Sequence, residues 1–231
     1  MTTTEAPPKA PTKPKVDHAP SSAIERIEVP KIETKTILVP IIGTAPLIQC
    51  KFPEKARRAM LDKMQGRATP KTKRDPKADF QAAQWKLADP EGYGFPSVAF
   101  KSATIGAARY YGKQISMTEL RQLIFFGGEL SDDPAPVSLV RLECDTPIMR
   151  EDYVRISAGG TDLRYRPQFT NWRAELEITY VASCLAQESL LSLVGAGGLG
   201  GVGEWRPAGK KSTGDFGTYE IDTERDVTVI G

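Results

Sequence analysis

The 231-residue chain reads as an α+β protein, on three observations. Strand-like runs recur at Thr36–Phe52, Val137–Cys144 and Ala174–Val181, with Phe216, Tyr219 and Ile221 alternating near the end. Helix patterns fall between them at Phe95–Gly112, Thr118–Phe126 and Gln187–Val194. The hydrophobic fraction is 40%, and much of the deficit lies in the first 33 residues, so the remainder is long enough for a real core.

Residues 1–33 carry Pro7, Pro8, Pro11, Pro14, Pro20 and Pro30 among Thr, Lys, Ala and Glu. Such a segment buries too little surface to offset its ordering entropy, so it is expected to be a disordered tail before a single domain at 34–231. The only histidine, His18, lies inside it, which argues against histidine acid–base chemistry. Thr36–Phe52 is the first core strand, kinked at Gly43–Pro46, and its nearly continuous apolar run suggests burial on both faces.

The composition then changes. Residues 54–79 hold nine Lys or Arg against four acids, within an insertion expected at 54–89. Lys55–Met64 has a helical pattern and Gly66–Pro76 reads as a loop. Either the insertion is a solvated charged surface, or it is a basic finger whose Lys71, Lys73 and Arg74 track phosphates. After a turn at Asp89–Gly94, Pro96 and Ser97 open a helix. Val98, Ile105 and Ala108 are expected to face the core, leaving Lys101 and Arg109 to reach outward. Thr118–Phe126 stops at Gly127–Gly128.

Met149–Trp172 interleaves Arg150, Arg155, Arg164 and Arg166 with Tyr153, Tyr165, Phe169 and Trp172 around a hairpin signal at Gly159–Gly160. This is either an edge hairpin with its charges in water, or a surface offering guanidinium to phosphate and rings to bases. The most distinctive stretch is Gly195–Gly217, GAGGLGGVGEWRPAGKKSTGDFG. One reading is a flexible surface loop; the other is a nest of backbone N–H groups for an anion. In the second reading Gly201, Gly203 and Gly214 cradle phosphate while Lys210 and Lys211 neutralise it. Arg206, Lys101 and Arg109 line the same face, and Trp205 or Tyr165 stacks a base.

Net charge is only +2, so any basic surface is local. Cys50, Cys144 and Cys184 have no metal-ligand spacing and read as buried reduced thiols. No GxxxxGK[ST] motif occurs, which excludes a P-loop enzyme, and no cofactor or metal is expected. The first thirty residues lack an apolar signal core and no run of 18 apolar residues exists, so a cytoplasmic protein without a membrane partner is expected.

Three of these segments stand in a family-like order: a strand ending GTAPLIQCKF, a helix opening FPSVAFKSATIGAAR with Pro96, Lys101, Gly106 and Arg109, and a glycine loop with Gly201, Gly203, Arg206, Lys211, Gly214 and Gly217. In that order the chain resembles the RAMP superfamily, the RNA-binding proteins of CRISPR effector complexes, and within it the backbone-forming subunits. The resemblance implies a ferredoxin-like (RRM-like) antiparallel sheet with helices on one face. It makes the 54–89 insertion a finger and the 149–172 hairpin a thumb. It implies binding of single-stranded RNA or DNA, without catalysis, as a homo-oligomer or filament along the strand. RAMP ribonucleases that process RNA generally use a histidine, and this chain has one only in its tail. The chain is also similar to proteins of actinobacterial phages, which implies a viral origin and a bacterial host cytoplasm. Two other classes stand beside this one: a phage structural or assembly protein, and a metal-dependent ribonuclease using Asp62, Asp75 or Asp79.

Overall fold

A computed structural model describes residues 28–68, 73–88, 90–155, 159–210 and 214–230. The expected tail falls outside it up to residue 27, and residues 28–33 are exposed without regular structure. Residues 32–231 form one compact unit. In chain order the elements are β1 (Thr34–Gly43), β2 (Leu47–Ile48), α1 (Glu54–Met64), α2 (Pro76–Ala82), β3 (Tyr93–Pro96) and α3 (Ser97–Ala107), which runs into a 3-10 turn at Ala108–Tyr111. There follow α4 (Met117–Leu123), β4 (Ile124–Phe126), β5 (Glu129–Leu130), β6 (Ser138–Cys144), β7 (Ile148–Arg155), β8 (Thr161–Phe169), β9 (Trp172–Val181), α5 (Gln187–Gly200), β10 (Tyr219–Ile221) and β11 (Thr228–Val229). The result is a mixed α+β fold with antiparallel sheets.

The larger sheet is organised by β1 and β9, which pair antiparallel from Thr34↔Val181 to Ile42↔Arg173. β10 and β11 share the outer edge of β1, while β4 and β6 share the outer edge of β9. β3 and β5 extend the sheet beyond β6. The alternation in β9 sets its sides: Ala174, Leu176, Ile178 and Tyr180 are buried, whereas Glu175 and Glu177 are exposed. The buried side, with Ile37, Val39 and Ile41 of β1, packs on Phe100, Leu120, Leu190 and Val194 of α3, α4 and α5. α4 starts where Ser116 Oγ accepts from the Glu119 amide at 3.1 Å and the Glu119 carboxylate accepts back from the Ser116 amide, a capping box. A second sheet, β2-β8-β7, holds the hairpin.

Several expectations are corrected by pairing partners remote in sequence. The first strand is two strands in different sheets. At the bend the Trp172 indole N–H donates to the Ala45 carbonyl at 2.9 Å, and its ring occupies the space a side chain at Gly43 would need. The outer face of β1 is not fully buried, since Leu38 and Ile42 are partly exposed beside Glu177 and Arg173. Phe125 and its neighbours leave the helix for β4 because Ile178–Tyr180 offer an unpaired strand edge. Tyr93–Pro96 is a strand paired to β6, so α3 begins at Ser97. Its core face is Ser97, Phe100, Thr104, Ile105 and Ala107, and Val98 is 63% exposed. The basic insertion contains a second helix, α2, with Pro76 in its first turn and the Asp75 carboxylate accepting from the Lys77 and Ala78 amides.

The thiols also differ from expectation: Cys184 is exposed, and Cys50 and Cys144 are half-buried. Burial, assisted by the nearby Asp145 carboxylate, pushes the Cys144 thiol up to about 11. At pH 8 only about one part in a thousand of Cys144 is then the reactive thiolate. Iodoacetamide at pH 8 is therefore expected to modify Cys184 well before Cys144, read by peptide mass spectrometry. The reverse order would contradict this account of the two sites. Among the described residues, no helix is long and apolar enough to cross a membrane.

Candidate nucleic-acid interface

The two sides of the large sheet differ in charge. Leu38, Pro40 and Ile42 of β1 share the open side with Glu175 and Glu177, and across the register with Glu220 and Glu143. Its cations are engaged: Arg141 with Glu129, Arg225 with Glu143 at 2.7 Å, and Arg173 with Asp222 and Glu224. The Arg225 guanidinium holds the Glu143 carboxyl below the usual carboxylate range. A carboxylate-rich sheet face offers a polyanion repulsion rather than attraction.

A groove of about 730 Å³ lies between α3, the end of α5 and the chain from Gly200 to Lys210. Its charged lining is Arg109, Arg206, Lys210 and Glu204. Tyr110, 64% exposed, and Val98 add an aromatic and an apolar surface. Glu204 is neutralised by Arg166 Nη2 at 3.3 Å, which leaves the three cations to set the sign of the groove.

Glycine shapes this groove by contact. The first six residues of the expected loop, Gly195–Gly200, are the end of α5. A methyl on Gly197 would stand 2.9 Å from the Thr104 amide nitrogen, so its absence lets α5 close on α3. The Tyr111 hydroxyl donates to the Ser192 carbonyl at 3.2 Å and ties the 3-10 turn, with Arg109 and Tyr110, to the same helix. Gly201, at φ 67°, ends α5. Gly203, at φ 81°, passes so near β2 that a side chain would meet the Ile48 carbonyl oxygen at 2.5 Å.

Five of the expected site residues meet here: Arg109, Gly201, Gly203, Arg206 and Lys210. The role assigned to the Gly201 amide is corrected, because it already donates to the Gly197 and Gly198 carbonyls. Gly214 packs against the backbone of Trp205. Lys101 is on α3 but away from the groove lining, its Nζ 5.0 Å from the centre of the Phe125 ring. Arg155 is exposed at the end of β7, and Arg164 stands 3.8 Å from Asp162. Arg166 is corrected to a structural cation, since it is buried and paired with Asp152 and Glu204. Arg74 bridges Asp79 and Asp162, at 2.7 and 2.6 Å, and joins the insertion to the hairpin. Those partners, Asp79 foremost, raise its pKa further. Lys73 is exposed, and Lys71 and Lys211 lie outside the described residues.

Each expected stacking ring already carries a guanidinium. Arg150 covers Trp205 at 4.9 Å, and Arg74 stands 5.9 Å from the Tyr165 ring. Tyr110 is the groove residue that sequence reasoning missed, and the Arg-Tyr-Tyr run closing the helix pattern was the available signal.

No protein-family model matches the chain, and no curated protein matches it. Among solved structures the chain is similar to one in the cryo-EM structure of a type III-B Cmr-beta complex bound to cognate target RNA. The two are 11% identical with a TM-score of 0.34, over 85% of this chain and 61% of that one. The chain thus spans about three fifths of the length of that neighbour.

Proposed function

We propose that this protein binds single-stranded nucleic acid, RNA or DNA, without cleaving it, and that the strand lies in the groove between α3 and α5. One observation carries the reading: among the described residues the groove joins three cations to an exposed ring, and its one lining carboxylate is already neutralised. Phosphates need the first and an unpaired base the second, and stacking on Tyr110 contributes about 1–3 kcal/mol per base. The acid-rich open side of the sheet favours the groove over the sheet as the binding surface. The strand order β10-β1-β9-β4, with α3 and α5 in the crossovers, supports a ferredoxin-like, RAMP-type arrangement of the domain. We extend the proposal to a protein that assembles along its strand.

The test is anisotropy of labelled single strands of about 30 nucleotides, RNA and DNA in parallel, across a salt series. Three phosphate contacts give a slope of log K on log salt of about −2. The triple substitution Arg109→Gln, Arg206→Gln, Lys210→Gln is expected to remove most of that slope and at least about tenfold of the affinity. An unchanged slope would remove the groove from the site. Absence of binding to either strand at low salt would overturn the function and turn attention to protein assembly. The strand is expected to keep its full length on a gel with Mg²⁺ present; shortened products would overturn the non-catalytic reading.

A further inference from the structure

We propose that the β7–β8 hairpin latches the turn at Trp205 and thereby sets the groove's cations, with Arg150 and Arg166 as positioning residues. This deepens the nucleic-acid reading and rests on it. Arg150 and Arg166 are directly opposite in the hairpin register. Like charges so placed destabilise a strand pair. Here both converge on one carboxylate, Asp152, which accepts from Arg150 Nε at 2.8 Å and from Arg166 Nη1 at 3.3 Å. Asp152 is 3% exposed and Arg166 2%, so the arrangement also carries a desolvation cost. What the hairpin gains from doubling its guanidiniums lies outside it. Arg150 stands 4.9 Å from the Trp205 ring and 5.0 Å from that of Phe216, and Gln168 fixes its other end at 2.7 Å. Arg166 reaches the same indole at 5.6 Å and continues to Glu204.

Trp205 needs such a hold. Among the described residues it alone, other than glycine, has a positive φ, at 54°. A bulky side chain keeps that backbone only where its surroundings over-determine it. The next residue is Arg206, whose Nη1 donates to the Gly203 carbonyl at 2.7 Å and which lines the groove. The turn therefore decides where Arg206 points and where the chain running on to Lys210 lies. Neither Arg150 nor Arg166 lines the groove, so both act through the turn.

The experiment uses the full chain carrying Arg150→Leu, beside Arg150→Lys, which keeps a cation over the rings. Two readouts are taken: the rate of tryptic cleavage after Lys210, located by mass spectrometry, and the salt slope of single-strand binding. Arg150→Leu is expected to speed that cut about tenfold, the loss of one desolvated cation–π contact, and to make the slope shallower by about one phosphate. Arg150→Lys is expected to restore most of both. An unchanged cut rate and slope in Arg150→Leu would overturn the latch. Trp205→Leu leaves the hairpin's ion pairs intact and is expected to speed the same cut; if Arg150→Leu does not fold, an unchanged rate in Trp205→Leu overturns the proposal instead. If the wild-type chain binds no strand, the functional reading fails, and the cleavage rates still decide the latch.

Discussion

Gly198→Ala is expected to destabilise the fold by about 2–4 kcal/mol, although alanine is the better helix former. In the middle of an exposed helix the same change adds about 1 kcal/mol of stability. Gly198 is buried in α5, and a methyl there would overlap the Tyr219 carbonyl oxygen of β10 and stand 3.0 Å from its ring. That carbonyl has little room to retreat, because Tyr219 is paired with Gly43 of β1 and its ring is buried in the core. Relief requires α5 to lift from the sheet, which opens the contact with α3 that Gly197 makes possible. Gly195 provides the control on the same helix, since a methyl there would meet only Ile221 Cδ1 at 3.9 Å. Gly195→Ala is expected to raise stability by about 0.5–1 kcal/mol. Urea unfolding of the two variants should give midpoints on opposite sides of the wild type. A Gly198→Ala protein as stable as the wild type would mean that α5 does not seat on β10 in this way.

The same glycines mark the limit of what the sequence discloses. Strands β6 and β9 are legible because their alternation is local and one side must be buried. The C-terminal half of α5 is not, because glycine ordinarily signals a loop, and its use at Gly197 and Gly198 appears only once α3 and β10 are beside it. Ile124–Phe126 continue an apolar helix pattern, and only a strand edge some fifty residues later draws them out of it. The insertion's second helix was legible in principle, through Asp75 followed by Pro76. At the candidate site, Arg109, Arg206 and Lys210 stand out in the sequence as cations near glycine. Nothing local separates them from Arg166, whose fate depends on Asp152 across the β7–β8 pairing, while Arg74 is held by its near neighbour Asp79 and by Asp162 of the distant hairpin. Basic residues are countable from sequence; which of them are already neutralised is a property of the fold.

Asp152→Ala is expected to cost about 3–5 kcal/mol, a large effect for a single carboxylate on a hairpin. It faces two guanidiniums, Arg150 and Arg166, and its side chain is nearly free of solvent. Arg166 Nε lacks a hydrogen-bond partner even with Asp152 in place, and removing Asp152 leaves this buried cation with Glu204, itself partly exposed, as the remaining counter-charge. Arg150 loses the bond that orients it toward Trp205 and Phe216. The destabilisation is that of an uncompensated buried charge, not the net worth of an ion pair. That distinction is measurable. The double change Asp152→Ala, Arg166→Met removes the stranded charge together with its partner, and is expected to recover a large part of the loss in urea unfolding. Two costs that simply add would show that Asp152 and Arg166 do not act on each other. Recovery of stability without recovery of the salt slope for single-strand binding separates the two duties of the cluster: holding the hairpin together, and holding the turn that carries Arg206 into the groove.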